Sequence, residues 1–313
     1  MCQKTEQNLP SRTTIESSED DGDVDRRIHF YSASEAVERL SPERWNQTSY
    51  QERLTMLLQI QKNMAKHFPD ITKAESDMRN SRISKSGEKT SGDIYNPELC
   101  VVTSVMGMAT HITAAVELYQ GLVKNKKGPS KFSKVKGTDD MYDIRVGPLS
   151  IKDRLYYTTR RDTLRVQGKP TRILPKDQPT QVIACLGAGN YSGPVENIKA
   201  IFFDNHVVVS KPHPLHQAMD HIWETILQPL VEIGALSFCH ADEGPALSKH
   251  PKVDKIYFTG GAETAKLIQN STDKPVVVES GGTNPMLIVP SNRKWSKWEL
   301  QHHAKQIVTF SKL

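Results

Sequence analysis

Four short stretches between Cys185 and Gly282 join residue types that can do chemistry. In "VVVESGG", three valines carry Glu279 out of an apolar run into a glycine turn. A carboxylate so placed can act as a general base, its pKa raised by partial burial beside the valines. A strand-end glutamate bonded to a neighbour has the same local sequence. In "IYFTGGAETAK", Thr259, Gly260 and Gly261 lead directly from a strand into a helix. The N–H groups and dipole of that helix start suit a pyrophosphate, and glycines let it approach the backbone closely. A ligand-free strand–helix turn reads alike. "VVVSKPHP" sets Lys211 at a strand end before a proline turn. A cation there can meet phosphate or ribose oxygens, or simply face solvent. "CLGAGNYSGP" spaces Gly187, Gly189 and Gly193 as GxGxxxG, one residue longer than a dinucleotide fingerprint, and no acidic residue ends the following strand. By itself that segment reads as a tight turn. His213, His216, Asp220 and His221 straddle a turn without a ligand frame, so no metal is expected.

These stretches need a scaffold that brings strand ends together. Apolar runs at 182–186, 207–209, 237–239, 255–258 and 276–278 alternate with helical patterns at 195–203, 216–233 and 262–270. Strands alternating with helices predict an α/β fold, a Rossmann-like parallel sheet with flanking helices. Such sheets bind nucleotides at the carboxyl ends of their strands. The organisation expected is an acidic disordered tail at 1–28, a helical region at 29–141, a β-ribbon at 142–180, a dinucleotide-binding domain at 181–290 and a helix at 291–313. "SASE" and "SYQE" have capping-box spacing before two of the upstream helices, and residues 101–123 form a third long helical pattern.

Composition narrows the function classes. The net charge is +5, and six lysines fall in "KNKKGPSKFSKVKG". Gly128 and Pro129 break that cluster and Asp139 and Asp140 follow it, so it reads as a solvated loop and no nucleic-acid partner is expected. The four cysteines form no CxxC pair, which fits a reducing compartment and argues against a zinc site. No apolar run is long and clean enough to cross a membrane, so a cytoplasmic protein is expected. Ser311-Lys312-Leu313 would be a peroxisomal address at a genuine, exposed C-terminus.

Taken together and in order, the four stretches resemble the aldehyde dehydrogenase superfamily. Asn190 in "GNYSGP" stands where the family's Trp-Asn-Phe-Pro segment places an oxyanion-hole asparagine. Lys211 matches the family's Lys-Pro, which contacts the adenosine ribose. "FTGGAETAK", with Thr259, Gly260 and Gly261, resembles the Phe-Thr-Gly-Ser turn at the pyrophosphate. "VVVESGG" resembles the Glu-Leu-Gly-Gly segment that holds the catalytic base, which implies that role for Glu279 and a cofactor-side place for Gly281.

The resemblance implies an NAD- or NADP-dependent oxidation of aldehydes to acids, an aldehyde substrate, and oligomers formed through the ribbon. Gly189 replaces the family tryptophan, Ser280 the usual leucine, and Pro214 the glutamate that often disfavours a 2′-phosphate, so the choice between NAD and NADP stays open. The family's nucleophilic cysteine is implied some three dozen residues after the base, and no cysteine follows Glu279 in this sequence. The chain is therefore expected to be inactive by itself. The alternative is a catalytically silent nucleotide- or partner-binding protein that associates with an intact paralogue.

Overall fold

The computed structural model describes residues 30–86, 95–124, 132–149, 151–156, 160–171, 173–191, 193–281, 287–289 and 292–312. The expected acidic tail, half of the lysine cluster (Lys126, Lys127 and Lys131), Gly282 and Leu313 lie outside the described residues.

The upstream helices are α1 (Ala33–Glu38), α2 (Pro42–Gln47), α3 (Tyr50–Ser86), α4 (Pro97–Cys100) and α5 (Met106–Val123). Both capping boxes form. The Ser32 and Ser49 backbone N–H groups donate to Glu35 and Glu52 at 3.0 and 2.7 Å, and each serine hydroxyl accepts the return bond. The third helical pattern is not one α-helix. Asn96 caps α4 through Leu99 N–H at 2.8 Å, and a π-turn over Val101–Val105 separates α4 from α5. Leu54, Leu57, Ile60 and Met64 of α3 pack against Met108, Ile112 and Tyr119 of α5 in the core.

A charged group sits inside this packing. The fully buried Arg53 guanidinium donates to Thr48 Oγ1 at 2.8 Å, the Trp45 carbonyl at 2.9 Å and the Tyr119 hydroxyl at 3.3 Å, and lies 4.0 Å over the Trp45 ring. Tyr119 in turn donates to the Phe202 carbonyl at 2.9 Å, tying the helical layer to the sheet domain.

The ribbon is a three-stranded antiparallel sheet, β1 (Phe132–Lys134), β2 (Met141–Gly147) and β3 (Asp162–Gln167), in that order. Its first strand starts ten residues before the boundary expected at 142. Residues Ile151–Tyr156, between β2 and β3, form a helix, α6, instead of continuing the ribbon. Arg165 and Asp143 pair across β2 and β3 through two bonds of 2.7 and 3.0 Å.

The second sheet is parallel: β4 (Val182–Leu186), β5 (Val207–Lys211), β6 (Leu236–Phe238), β7 (Lys255–Gly260) and β8 (Val276–Ser280), in spatial order β6-β5-β4-β7-β8. Its helices are α7 (Val195–Ile198, extended by a π-turn through Phe203), α8 (Gln217–Ile226), α9 (Gln228–Glu232), α10 (Gly244–Lys249) and α11 (Ala262–Ser271), with α12 (Lys297–Lys312) beyond β8.

Strand order runs outward from β4 on one side and then resumes on its other side. Right-handed crossovers therefore place α7 to α9 on one face of the sheet and α10 and α11 on the other. The reversal opens a crevice at the carboxyl end of β4, between β5 and β7. All of β4 is buried. β8 is the edge strand, and its valines alternate between half-buried and exposed, so it is less covered than a run of three valines suggests.

Candidate functional site

At the end of β4 the chain turns away through Gly187, whose N–H donates to the Lys211 carbonyl at 2.9 Å. A Cβ on Gly187 would stand 3.2 Å from that oxygen and 3.3 Å from His213 N, so only glycine fits without moving backbone. This contact joins the ends of β4 and β5 and puts Lys211 at the lip of the crevice. Lys211 is partly buried, its Nζ donates to the Ala241 carbonyl at 3.4 Å, and burial lowers its pKa from the usual lysine range.

A cleft of about 700 Å³ opens from this point toward α10 and α11. Lys211, Gly260 and Gly261 line it, with Gly244, Ser248 and Lys249 across from them. Gly261 is the N-cap of α11 and makes no side-chain cap bond, so the first N–H groups of a ten-residue helix are open to a ligand. Exposed Leu267 and half-buried Ile268, both on α11, form an apolar wall. Two lysines and no carboxylate line the cleft among the described residues. Helix start, cation and apolar wall together suit an anionic ligand with a flat apolar end.

A second cavity, about 250 Å³, lies on the α7–α8 face of the crevice. The two share Leu186, Gly187, His213 and Thr259. Thr259 meets the cleft at its rim, while its hydroxyl donates to Glu196 Oε1 at 3.1 Å on the second-cavity side.

The expected site residues fall into three places. Lys211, Thr259, Gly260 and Gly261 converge on the cleft. Asn190 is exposed at the mouth of the second cavity, and its carbonyl accepts from Arg79 Nη2 at 3.3 Å. Glu279 and Gly281 line neither cavity. Glu279 is exposed at the end of β8, in register with Thr259, so the partial burial expected for it is absent. The cause is the edge position of β8, which leaves its outward residues uncovered. Gly281 has φ +127°, a left-handed conformation that favours glycine and turns the chain out of the strand.

Burial pushes the Cys239 thiol up to about 12 and the Cys185 thiol well above its ordinary value, so neither is a thiolate near neutral pH. Cys100 is also buried.

Gly244 and Ser248 went unread in the sequence. They sit in "DEGPALSK", whose only local signal is a glycine-proline helix start. His216 and Asp220 were visible only as an unframed cluster, and Trp223 as one more apolar position of α8. Their burial depends on the packing of α8 against α3, which no local pattern announces.

A model of the aldehyde dehydrogenase family matches residues 160–299. Among solved structures, an aldehyde dehydrogenase from Bartonella henselae superposes with a TM-score of 0.51 at 18% identity, covering 82% of this chain and 46% of that one. An indole-3-acetaldehyde dehydrogenase in its apo form gives a TM-score of 0.51 at 15% identity, covering 83% and 52%. One from P. syringae, solved with NAD+ and IAA, gives 0.50 at 15%, covering 82% and 44%. At these identities the likeness is one of fold. The chain spans about half the length of the solved structures it matches.

Proposed function

We propose, from the premise that residues 160–299 belong to the aldehyde dehydrogenase family, that this chain carries the family's dinucleotide-binding half and binds NAD or NADP in the cleft beside α11. The observation that carries the reading is the uncapped start of α11 opening into a cleft with Lys211 at a strand-order reversal. The backbone at 260–262 would hold the pyrophosphate, Lys211 the adenosine ribose, and Leu267 and Ile268 the face of the adenine. The Gly187 turn supports this fit, because it holds Lys211 in place with no side chain of its own.

The cofactor supplies hydride acceptance when bound. The part left to this chain is binding and orientation. Asn190, exposed at the mouth of the second cavity, would donate to a developing oxyanion. Glu279, exposed on the neighbouring strand end, is free to reach a water. The substrate class is aldehydes, oxidised to acids. The buried thiols favour the reading that the 313-residue chain by itself binds cofactor without turning over aldehyde.

Calorimetric titration with NAD and NADP tests the site. Weak saturable binding, on the order of 10⁻⁴ M, is expected from an open cleft. Absence of binding at millimolar cofactor, or binding unaltered by Lys211→Met, removes the assignment.

A further inference from the structure

His216, the N-cap of α8, and Asp220 and Trp223 within it recur at i, i+4 and i+7, and all three line the second cavity. They are 3%, 5% and 2% exposed. The indole Nε1 of Trp223 lacks a hydrogen-bond partner among the described residues, and the His216 ring has at most the Gly189 backbone. Asp220 likewise makes no hydrogen bond or ion pair there. Lys211 is the cation felt at Asp220, but it lines the other cavity and its ammonium is turned to Ala241.

Buried polar groups left unpaired are costly, and an unpaired carboxylate most of all. Three buried polar groups so poorly partnered, around one cavity, mark a place built to receive something.

The lining indicates what. Two carboxylates, Asp220 and Glu196, face this cavity, and no lysine or arginine does among the described residues. That is the opposite of the cofactor cleft, with its two lysines and no carboxylate. Ser210 and Asn197 add oxygens, and Trp223, Phe238 and Tyr257 add aromatic walls. A primary ammonium carries three donors and no acceptor, and it is attracted to aromatic faces. The His216 imidazole, which burial holds below the usual histidine range, presents a neutral ring with an accepting nitrogen. No cluster among the described residues can hold a metal ion, so a bare cation is a poor fit.

We propose that the cavity bounded by His216, Asp220 and Trp223 binds a small primary ammonium compound, with its N–H donors on Asp220 and His216. The site lies on the sheet face opposite the cofactor cleft, and the proposal does not depend on the cofactor reading.

The test uses the full chain, labelled with ¹⁵N, and follows the Trp223 indole N–H by NMR, assigned with Trp223→Phe. The probes are ethylammonium, the neutral ethanol and the quaternary tetramethylammonium, at constant ionic strength. Ethylammonium should shift the indole signal saturably at millimolar concentration. Ethanol and tetramethylammonium should bind about tenfold weaker or not at all, since each lacks either the charge or the N–H donors. Asp220→Asn should weaken ethylammonium by about tenfold or more while leaving the cofactor titration unchanged. No saturable shift means that the cavity holds only water, and the proposal falls. It falls equally if ethanol or tetramethylammonium binds as well as ethylammonium, or if a folded Asp220→Asn binds normally. The ligand series on the unmodified chain decides the matter even if that variant does not fold.

Discussion

Thr259 and Glu279 are register partners on adjacent parallel strands, yet their side chains have different fates: the Thr259 hydroxyl is held by Glu196, and Glu279 stands exposed. Glu279→Gln should therefore change folding stability by less than about 0.5 kcal/mol, as exposed substitutions usually do. Cofactor affinity should also be unchanged. A drop in urea midpoint well beyond that, or a weaker NAD titration, would show that Glu279 is engaged in the fold or the cleft.

Two glycines of the crevice should behave differently. Gly187→Ala drives a methyl group against the backbone of Lys211 and His213, which should cost about 1–3 kcal/mol and weaken cofactor binding. Gly261→Ala meets nothing within 4 Å and has an ordinary φ of −68°, so it should be tolerated. Thermal melts of the pair, run side by side, check the contrast. Equal effects would mean that the Gly187 contact is not rigid.

Asp220 sets a pH dependence with an unusual direction. Burial pushes its carboxyl up to about 7 against the pull of Lys211. Below about pH 4, the ordinary aspartate value, folded and unfolded chains both hold the proton and the stability contribution is complete. Between there and about pH 7 only the unfolded chain releases it, so stability falls as pH rises, by about 4 kcal/mol at most. Asp220→Asn should remove that slope and be the more stable protein at pH 7.5. Buried histidines such as His216 act in the other sense on the acid side, so the difference between the two proteins is the quantity to measure, by urea unfolding at pH 4.5 and 7.5. Parallel curves would refute the burial argument.

Arg53→Met removes a buried cation that serves three acceptors and one aromatic face. Losing its bonds to the Trp45 carbonyl and the Thr48 and Tyr119 hydroxyls, each of which keeps one other partner, should cost about 1–3 kcal/mol. Circular dichroism melts would show it. A neutral outcome would mean that the apolar replacement packs well enough to offset the lost bonds.

The native thiols offer a simple check on the silent-chain reading. Cys100, Cys185 and Cys239 are buried, so a disulfide reagent at pH 7.5 should modify them only at the rate of unfolding, and aldehyde with NAD or NADP should yield no reduced cofactor. Rapid modification of Cys185 or Cys239, or turnover lost on their substitution, would contradict it.

The parallel sheet was readable because its strands are short apolar runs between helical repeats. The runs at 182–186 and 255–258 fall within observed strands, and that at 237–239 is displaced by one residue from Leu236–Phe238. The convergence of Lys211, Thr259, Gly260 and Gly261 on one cleft was readable for a similar reason: each stands at the end of a strand in one parallel sheet. The exposure of Glu279 was not readable. "VVVE" looks the same in a central strand and at an edge, and strand order is a property of the whole sheet. The helix Ile151–Tyr156 was missed because its apolar residues, Ile151 and Leu155, point to solvent and show no helical core face. Arg53 was hidden because its partners lie in α2, α5 and the turn between α2 and α3.

The edge position of β8 also sets a gradient of protection across the sheet. On its outer side no strand pairs with β8 among the described residues, and Val277 is 47% exposed. Every residue of β4, by contrast, is covered and flanked by two strands. Local opening should begin at the β8 edge and reach β4 only when the whole domain unfolds. In deuterium exchange, amides of 276–280 should therefore exchange orders of magnitude sooner than those of 182–186, with β7 in between. Whatever comes to cover that edge in the cell would be seen first as a slowing of exchange in β8.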